Sequence, residues 1–359
     1  MNTELPADII LSDILPRLPA KSLSRFKCVS KQWQSFLSSP AFSKINLHHI
    51  TTDNHHDHHK ILLFSSDPHP RVFQTLDQSY GLTASRSFPF KLCSEKTVTF
   101  ITSLNGLVCV GITCKWLSSS IFSDMILWNP CTNDYKSLSK PINNFHKECY
   151  KVTVNASGLY YIDSDDDYRL LRVTEGPDFY LYSLKSDSWR KLKYSFDQIP
   201  RPYSNTWGVS YLQNEKLYFL TSDSVTTFDT KTEKLAAIAT PSFGDVPCLN
   251  SVFLQKDGKI HVCVIYSGED SRDLSAKLWR MDGDGEWTKV ATYLIPRNLN
   301  FYEPHHLMRN GNWITFCRSK CHVHEFDPSK DFKKVYRRRI DNPPKGKYIE
   351  TLVSPLMYR

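Results

Sequence analysis

The feature that most constrains this chain is a four-strand unit that recurs along most of its length. Each copy runs strand A, a tight turn, strand B, a variable loop, strand C, a polar turn and strand D. The clearest copy reads G-V-S-Y-L, Q-N-E-K, L-Y-F-L-T, then V-T-T-F-D, T-K-T-E-K, L-A-A-I. Two more run S-V-F-L-Q to W-T-K-V and H-H-L-M-R to F-K-K-V-Y, and two earlier ones end in I-L-W-N-P-C-T-N-D-Y-K-S-L and Y-L-Y-S-L-K-S-D-S-W-R-K-L. Asn105-Gly106, Asp257-Gly258 and Asn310-Gly311 stand where strands A and B must reverse, the chemistry that tight hairpins prefer. The C–D turns are anchored at Asn129, Ser183, Asp229, Met281 and Asp327, a period of roughly 50, which is that of propeller blades. Five units are visible. Ile61–Phe64 and Val72–Leu76 supply strands before them and Thr351–Met357 one after, so a sixth blade shared by both ends would close the ring and remove the exposed edges. The competing fold is a less regular antiparallel β structure. Trp128, Tyr182, Trp189, Trp279 and Trp287 recur at blade positions, which reads as core.

The first 45 residues follow a different rule. Ile10 and Ile14 share one helical face, and Leu11, Leu15 and Leu18 a second. A helix apolar on nearly all sides is buried on nearly all sides. A segment of about 45 residues is near the limit of what builds a core alone, so one face is expected to wait for a second protein. Pro6 and Asp8 suit the helix start, while Pro16 and Pro19 interrupt its end. A second helix spans Ala20 to Cys28. Ser30 caps a third, carrying Trp33, Phe36 and Leu37. Ser39-Pro40 opens a short fourth turn around Phe42. Residues 46–59 read as a polar linker ending in Asn54-His55-His56-Asp57-His58-His59, with no framework to fix a metal.

The string L-P-x-D-I-I-x-x-I-L-x-R-L-P-x-K-S-L-x-R-F-K-C-V-S-K-x-W over Leu5 to Trp33 resembles an F-box. That resemblance implies docking on the Skp adaptor of a cullin–RING ubiquitin ligase. It places Leu5, Pro6, Ile9 and Ile10 at the start of the adaptor-binding helix and Ile14, Leu15 and Leu18 further along it. Leu23, Val29 and Trp33 follow on the later helices. Pro16 departs from the family, where a non-proline is commoner. The body resembles the F-box-associated domain behind many plant F-boxes, on S-L-N-G-L-V-C-V, I-L-W-N-P-x-T, L-Y-S-L-K-S-D-S-W-R and the terminal L-V-S-P. No Gly-Gly pair marks a true kelch repeat. The reading is a multidomain α+β chain: F-box at 1–45, linker at 46–59, and at 60–359 an all-β domain expected to be a six-bladed β-propeller.

The resemblance implies a receptor subunit that brings a protein target to the ligase and catalyses nothing itself. The rivals are a propeller enzyme or small-molecule receptor whose F-box controls its own turnover, and an adaptor-binding protein that works without ubiquitin. No nucleophile elbow, phosphate loop or zinc-protease motif is present, and no cofactor or metal is expected. Cys317, Cys321, His322 and His324 straddle a strand connection rather than two zinc knuckles. Asp163, Asp165, Asp166 and Asp167 lack the Gly and distal Glu of a calcium loop and read as an exposed A–B turn.

Charge and composition exclude more than they assign. The chain has 359 residues, 40% apolar content and a formal charge of +8. There is no signal-peptide pattern and no run near the ~20 apolar residues of a membrane span. Ten cysteines scattered through apolar runs suit reduced thiols of a cytoplasmic or nuclear protein, which leaves the sequon at Asn155 unused. Lys21, Arg25, Lys27 and Lys31 make the F-box basic and favour an acidic partner surface. The tail cluster from Lys333 to Lys347 does not recur elsewhere with stacking aromatics, so it reads as a solvated strand face rather than a nucleic-acid site. Target binding is expected on the rim built by the longer B–C and D-to-A segments. These carry Trp116 and Phe122, then Arg201, Tyr203 and Trp207, then Phe301, Tyr302 and His305, the aromatic and arginine chemistry of hot spots.

Overall fold

A computed structural model of the chain describes residues 6–52, 58–65, 72–77, 81–114, 124–139, 154–174, 178–194, 210–220, 224–241, 248–256, 258–267, 273–283, 285–296, 304–307, 311–317, 322–327, 330, 333–339 and 344–358. It divides into two compact units. One is 1–151 with 182–189 and 345–359; the other is 152–181 with 190–344. No helix among the described residues is long and apolar enough to cross a membrane.

The helical segment opens with α1 (Ala7–Ile9), a π-helical turn over Ile10–Ile14 and a 3-10 turn over Leu15–Arg17. Pro16 explains this sequence of turns. Proline lacks an N–H and its ring crowds the carbonyl four residues back, so regular α-helix cannot run through it. The turn before it is wide, with the Leu15 N–H on the Ile10 carbonyl, and the turn after it is tight, with the Leu18 N–H on the Leu15 carbonyl at 3.0 Å. Next come α2 (Ala20–Phe26), α3 (Lys31–Leu37) and α4 (Pro40–Thr52). Ser30 caps α3, its hydroxyl accepting from the Trp33 N–H at 3.1 Å, and Ser39 caps α4 through the Phe42 N–H at 3.2 Å. The short turn expected around Phe42 is thus a 13-residue helix, and the first part of the expected linker is its second half, which buries Asn46 and Ile50 and exposes His48, Thr51 and Thr52. Asn46 and Ile50 are what hold it down.

The strands are β1 (His59–Phe64), β2 (Val72–Leu76), β3 (Arg86–Ser87), β4 (Lys96–Leu104), β5 (Leu107–Cys114), β6 (Asp124–Trp128), β7 (Tyr135–Ser137), β8 (Val154–Ile162), β9 (Asp167–Thr174), β10 (Phe179–Ser183), β11 (Ser188–Leu192) and β12 (Tyr211–Gln213). They continue as β13 (Lys216–Leu220), β14 (Ser224–Asp229), β15 (Leu235–Ala239), β16 (Cys248–Lys256), β17 (Lys259–Ser267), β18 (Asp273–Asp282), β19 (Glu286–Pro296), β20 (Pro304–Leu307), β21 (Trp313–Cys317), β22 (His322–Asp327), β23 (Lys333–Arg339) and β24 (Pro344–Ile349). Five four-stranded sheets use consecutive strands: β4 to β7, β8 to β11, β12 to β15, β16 to β19 and β20 to β23. They coincide with the five repeats. The remaining sheet is composite, in the order β24-β1-β2-β3. Its closing strand is Pro344–Ile349, not Thr351–Met357 as expected. Residues 351–354 run as irregular buried chain and end in a 3-10 turn over Pro355–Met357.

The turn chemistry accounts for the hairpins. Asn105 and Gly106 both have positive φ (53° and 89°), the mirror-image turn that suits strand twist, and they close the Leu104–Leu107 register. Asn214 and Glu215 adopt the same geometry (φ 47° and 60°) without a glycine. Successive sheets share cores. In the first unit Leu62, Phe64 and Tyr348 of the composite sheet pack with Val108, Ile126 and Trp128 of the next sheet. In the second unit, Leu171, Phe179, Leu217 and Phe228 join one pair of sheets, and Leu254, Cys263, Trp313 and Phe326 join another. Trp128 and Tyr182 are core, but Trp189 and Trp287 are half-buried ties. The Trp189 indole N–H donates to the Ser139 carbonyl at 2.6 Å, two residues past β7, and that of Trp287 to the Ala239 carbonyl at 2.8 Å, at the end of β15.

Candidate adaptor-binding face

The helical segment has one small core. Leu15, Ala20, Leu23, Leu37 and Phe42 are buried in it, ringed by Ile10, Leu11, Leu18, Phe26, Trp33 and Phe36. Trp33 meets Phe26 edge to face at 5.9 Å, and Phe36 lies 5.0 Å from Phe42. With that core closed, Ile9 (43%), Ile14 (38%) and Val29 (61%) are left exposed. Four of the seven large apolar side chains that stay exposed among the described residues fall within the first 45; the fourth is Ile45 on α4.

The structure therefore sorts the adaptor residues expected from sequence. Pro6, Ile9, Ile14 and Val29 stand at the surface; Ile10, Leu18 and Trp33 are half-buried and shared with the core. Leu15 and Leu23 are interior and act by holding the helices that carry the others. Leu5 lies outside the described residues. Ile10 packs against the edge of the core, while Ile14, four residues on, stays exposed. Lys21, Arg25 and Lys31 are exposed around the segment, as expected from the sequence, and Lys27 is half-buried.

Three residues that sequence reasoning missed position this face. The Asn46 side-chain amide donates to the Pro16 carbonyl at 2.8 Å and the Leu18 carbonyl at 3.3 Å. These are carbonyls that the proline-broken helix end leaves without helical partners. Leu352 of the irregular C-terminal segment lies inside the helical core, and Cys131, of the turn after β6, packs against it. Burial pushes the Cys131 thiol up to about 12. No local pattern marks Asn46; Leu352 was visible only as part of the L-V-S-P marker.

Of the candidate target-binding residues, Trp116, Phe122, Arg201, Tyr203, Trp207, Phe301 and Tyr302 lie outside the described residues. His305 falls in β20, its side chain outside them. The Asp163–Asp166 stretch is an A–B turn between β8 and β9, but Asp167 is buried in β9 rather than exposed. Arg169 engages this group, its guanidinium paired with Asp165 and lying 3.3 Å from Asp167.

The F-box domain family matches residues 3–44, and the family described as F-box associated beta propeller domain matches residues 49–341. Curated relatives agree. A protein of Arabidopsis thaliana named as an F-box/kelch-repeat protein is 24% identical over 346 residues, covering 87% of this chain and 76% of its own. An F-box protein of the same plant is 26% identical over 310 residues, covering 81% and 72%. Among solved structures, the periplasmic gluconolactonase of Pseudomonas aeruginosa aligns with a TM-score of 0.43 at 12% identity, over 80% of this chain and 98% of that one. Helices at the start, repeated four-stranded sheets behind them and both family matches converge: the chain belongs to the F-box proteins that carry an F-box-associated β-propeller domain.

Proposed function

We propose that this chain is the substrate receptor of an SCF-type cullin–RING ubiquitin ligase, its F-box binding a Skp adaptor and its propeller holding a protein target. The observation that carries this reading is the exposed set Ile9, Ile14 and Val29 on a helical segment whose own core is already closed. Apolar side chains that a closed core leaves uncovered suit a partner site, and the lysines and arginine of the segment favour an acidic partner. The composite sheet, built from β24 with β1 to β3, supports counting it as a further blade beside the five repeats. Through the adaptor the chain joins cullin and RING subunits in the cytoplasm or nucleus. It contributes by proximity, holding a target lysine near a charged conjugating enzyme, and performs no chemistry itself.

The test is Ile14→Asp and Val29→Asp in the full chain. Both positions are exposed, so the variants keep the parent melting temperature. Each buries an uncompensated carboxylate in the complex, which costs several kcal/mol, so co-purification with the Skp adaptor is lost. Wild-type yield of the complex from both variants refutes the assignment. On the propeller, the loops bearing Trp116, Tyr203 and Tyr302 are proposed to meet the target. Separate alanine variants that fold and retain full target capture overturn that choice of rim.

A further inference from the structure

We propose that the irregular segment Thr351–Pro355 is a strap that positions the F-box on the β domain, so that the adaptor face is presented only while Leu352 is seated. Thr351, Leu352, Val353, Ser354 and Pro355 are all buried, yet 351–354 belong to no strand. Side chains hold this backbone instead. The Asn129 amide donates to the carbonyls of Thr351 (3.0 Å) and Val353 (2.6 Å). The Thr351 hydroxyl donates to the Asn105 carbonyl at 2.8 Å. Gly106 leaves the room, since a Cβ there would meet the Thr351 hydroxyl oxygen at 1.9 Å. Three of the family-like sequence markers thus meet at one node: the Asn105-Gly106 turn, Asn129, and the terminal L-V-S-P.

From that anchored backbone Leu352 enters the helical core, 2% exposed. The Ser43 hydroxyl of α4 donates to the Leu352 carbonyl at 3.2 Å. The helices therefore share both apolar contact and a hydrogen bond with a segment more than 300 positions away. The strap lies beyond residue 341, where the propeller family match ends. Removing Leu352 leaves five fully buried apolar residues in a core that is already small for independent folding. Leu352 is a positioning residue: it touches no adaptor and acts through the helices that do.

This inference rests on the adaptor reading only for its consequence, so the experiment carries a second, independent readout. Cys131 packs against the same core and reports seating by its alkylation rate. In the full-length protein, Leu352→Ala is expected to speed iodoacetamide labelling of Cys131 at least tenfold. It should also weaken Skp-adaptor binding tenfold or more, while amide exchange in β4–β6 stays as in the parent. Leu352→Met restores both. Should the alanine variant also open β4–β6, the milder Leu352→Val decides by the same two readouts. Unchanged labelling and unchanged adaptor affinity in the alanine variant overturn the strap. A parent protein that fails to bind the adaptor overturns the functional reading instead, and leaves Cys131 labelling to decide the strap alone.

Discussion

Asn46 offers the sharpest test of how this helical segment is held. It sits in α4, fully buried, where the sequence shows only a polar residue after a run of mixed character. Asn46→Ala removes the donor to the buried Pro16 carbonyl and the partly buried Leu18 carbonyl. A buried acceptor stripped of its partner costs about 1–3 kcal/mol. The Pro16 bond, at 2.8 Å, counts near the middle of that range and the longer Leu18 bond, at 3.3 Å, near its lower end. The side-chain oxygen of Asn46 is itself buried with no hydrogen-bond partner, so alanine also relieves one unsatisfied acceptor. The two losses sum to about 3 kcal/mol and the relieved acceptor offsets about 1 of it, so the net expectation is a loss of about 2 kcal/mol in the local stability of the helices. Asn46→Asp, similar in size but without the donors and with a charge to bury, should lose more. The assay is native-state amide exchange in α2 to α4, with β4 to β6 as internal reference. A shift below about 0.5 kcal/mol in Asn46→Ala, the range of ordinary surface changes, refutes the claim that Asn46 secures the proline-broken helix end.

Three further outcomes are expected. Gly106→Ala forces a Cβ against Thr351 at a φ of +89°, so it should destabilise the protein by roughly 1–3 kcal/mol, read as a lower urea midpoint; an unchanged midpoint removes Gly106 from the joint. Hydrogen bonds from Arg280 and Thr288 hold the Asp282 carboxyl down at about 2. A depressed carboxyl stabilises the fold above its unfolded pKa and loses that contribution as pH falls, here between about 4 and 2; an NMR titration midpoint that Arg280→Ala fails to raise is the contrary result. Cys131, its thiol pushed up to about 12 by burial, should alkylate far more slowly at pH 8 than the exposed Cys28 and Cys93; equal rates in the folded protein would contradict its placement.

The β domain was legible because its signals are local and repeated. Asn-Gly turns, two-residue reversals and a recurring C–D turn need no knowledge of distant contacts, and all five internal units match sheets of the structure. The closing strand was misplaced because Thr351–Met357 is the more apolar stretch, while Pro344–Ile349, which pairs with β1, carries Lys345, Gly346 and Lys347. Apolar content reports burial, not strand pairing. Thr351–Val353 is buried because it fills a joint, whereas β24 needs Gly346, whose Cβ would strike the Phe100 ring at 2.3 Å. In the helical segment, the spacing separated the Ile10/Ile14 face from the Leu11/Leu15/Leu18 face without saying which turns inward; the structure buries Leu15 and leaves Ile14 exposed. Asn46 and Leu352 were illegible for a further reason: their partners lie about 30 and 309 positions away.

These misses share one physical origin. A segment of about 45 residues that leaves Ile9, Ile14 and Val29 exposed gives up apolar area it could have folded with. Burying such a side chain fully contributes on the order of 1.5–3 kcal/mol, and with roughly half of each left in water about 1 kcal/mol each is forgone. That sum is comparable to a large share of a small domain's net stability. The deficit is offset by borrowing: Leu352 and Cys131 enter the core from the β domain, and Asn46 closes the helix end. Stability of the helices is then linked to the seating of a remote segment, and an adaptor that binds only the folded helices adds to it by mass action. It follows that saturating adaptor should protect Cys131 from alkylation in the parent protein and rescue part of the Leu352→Val defect. Cys131 labelling that is indifferent to bound adaptor would show that the adaptor face and the joint are energetically separate, and that the borrowed core serves the fold alone.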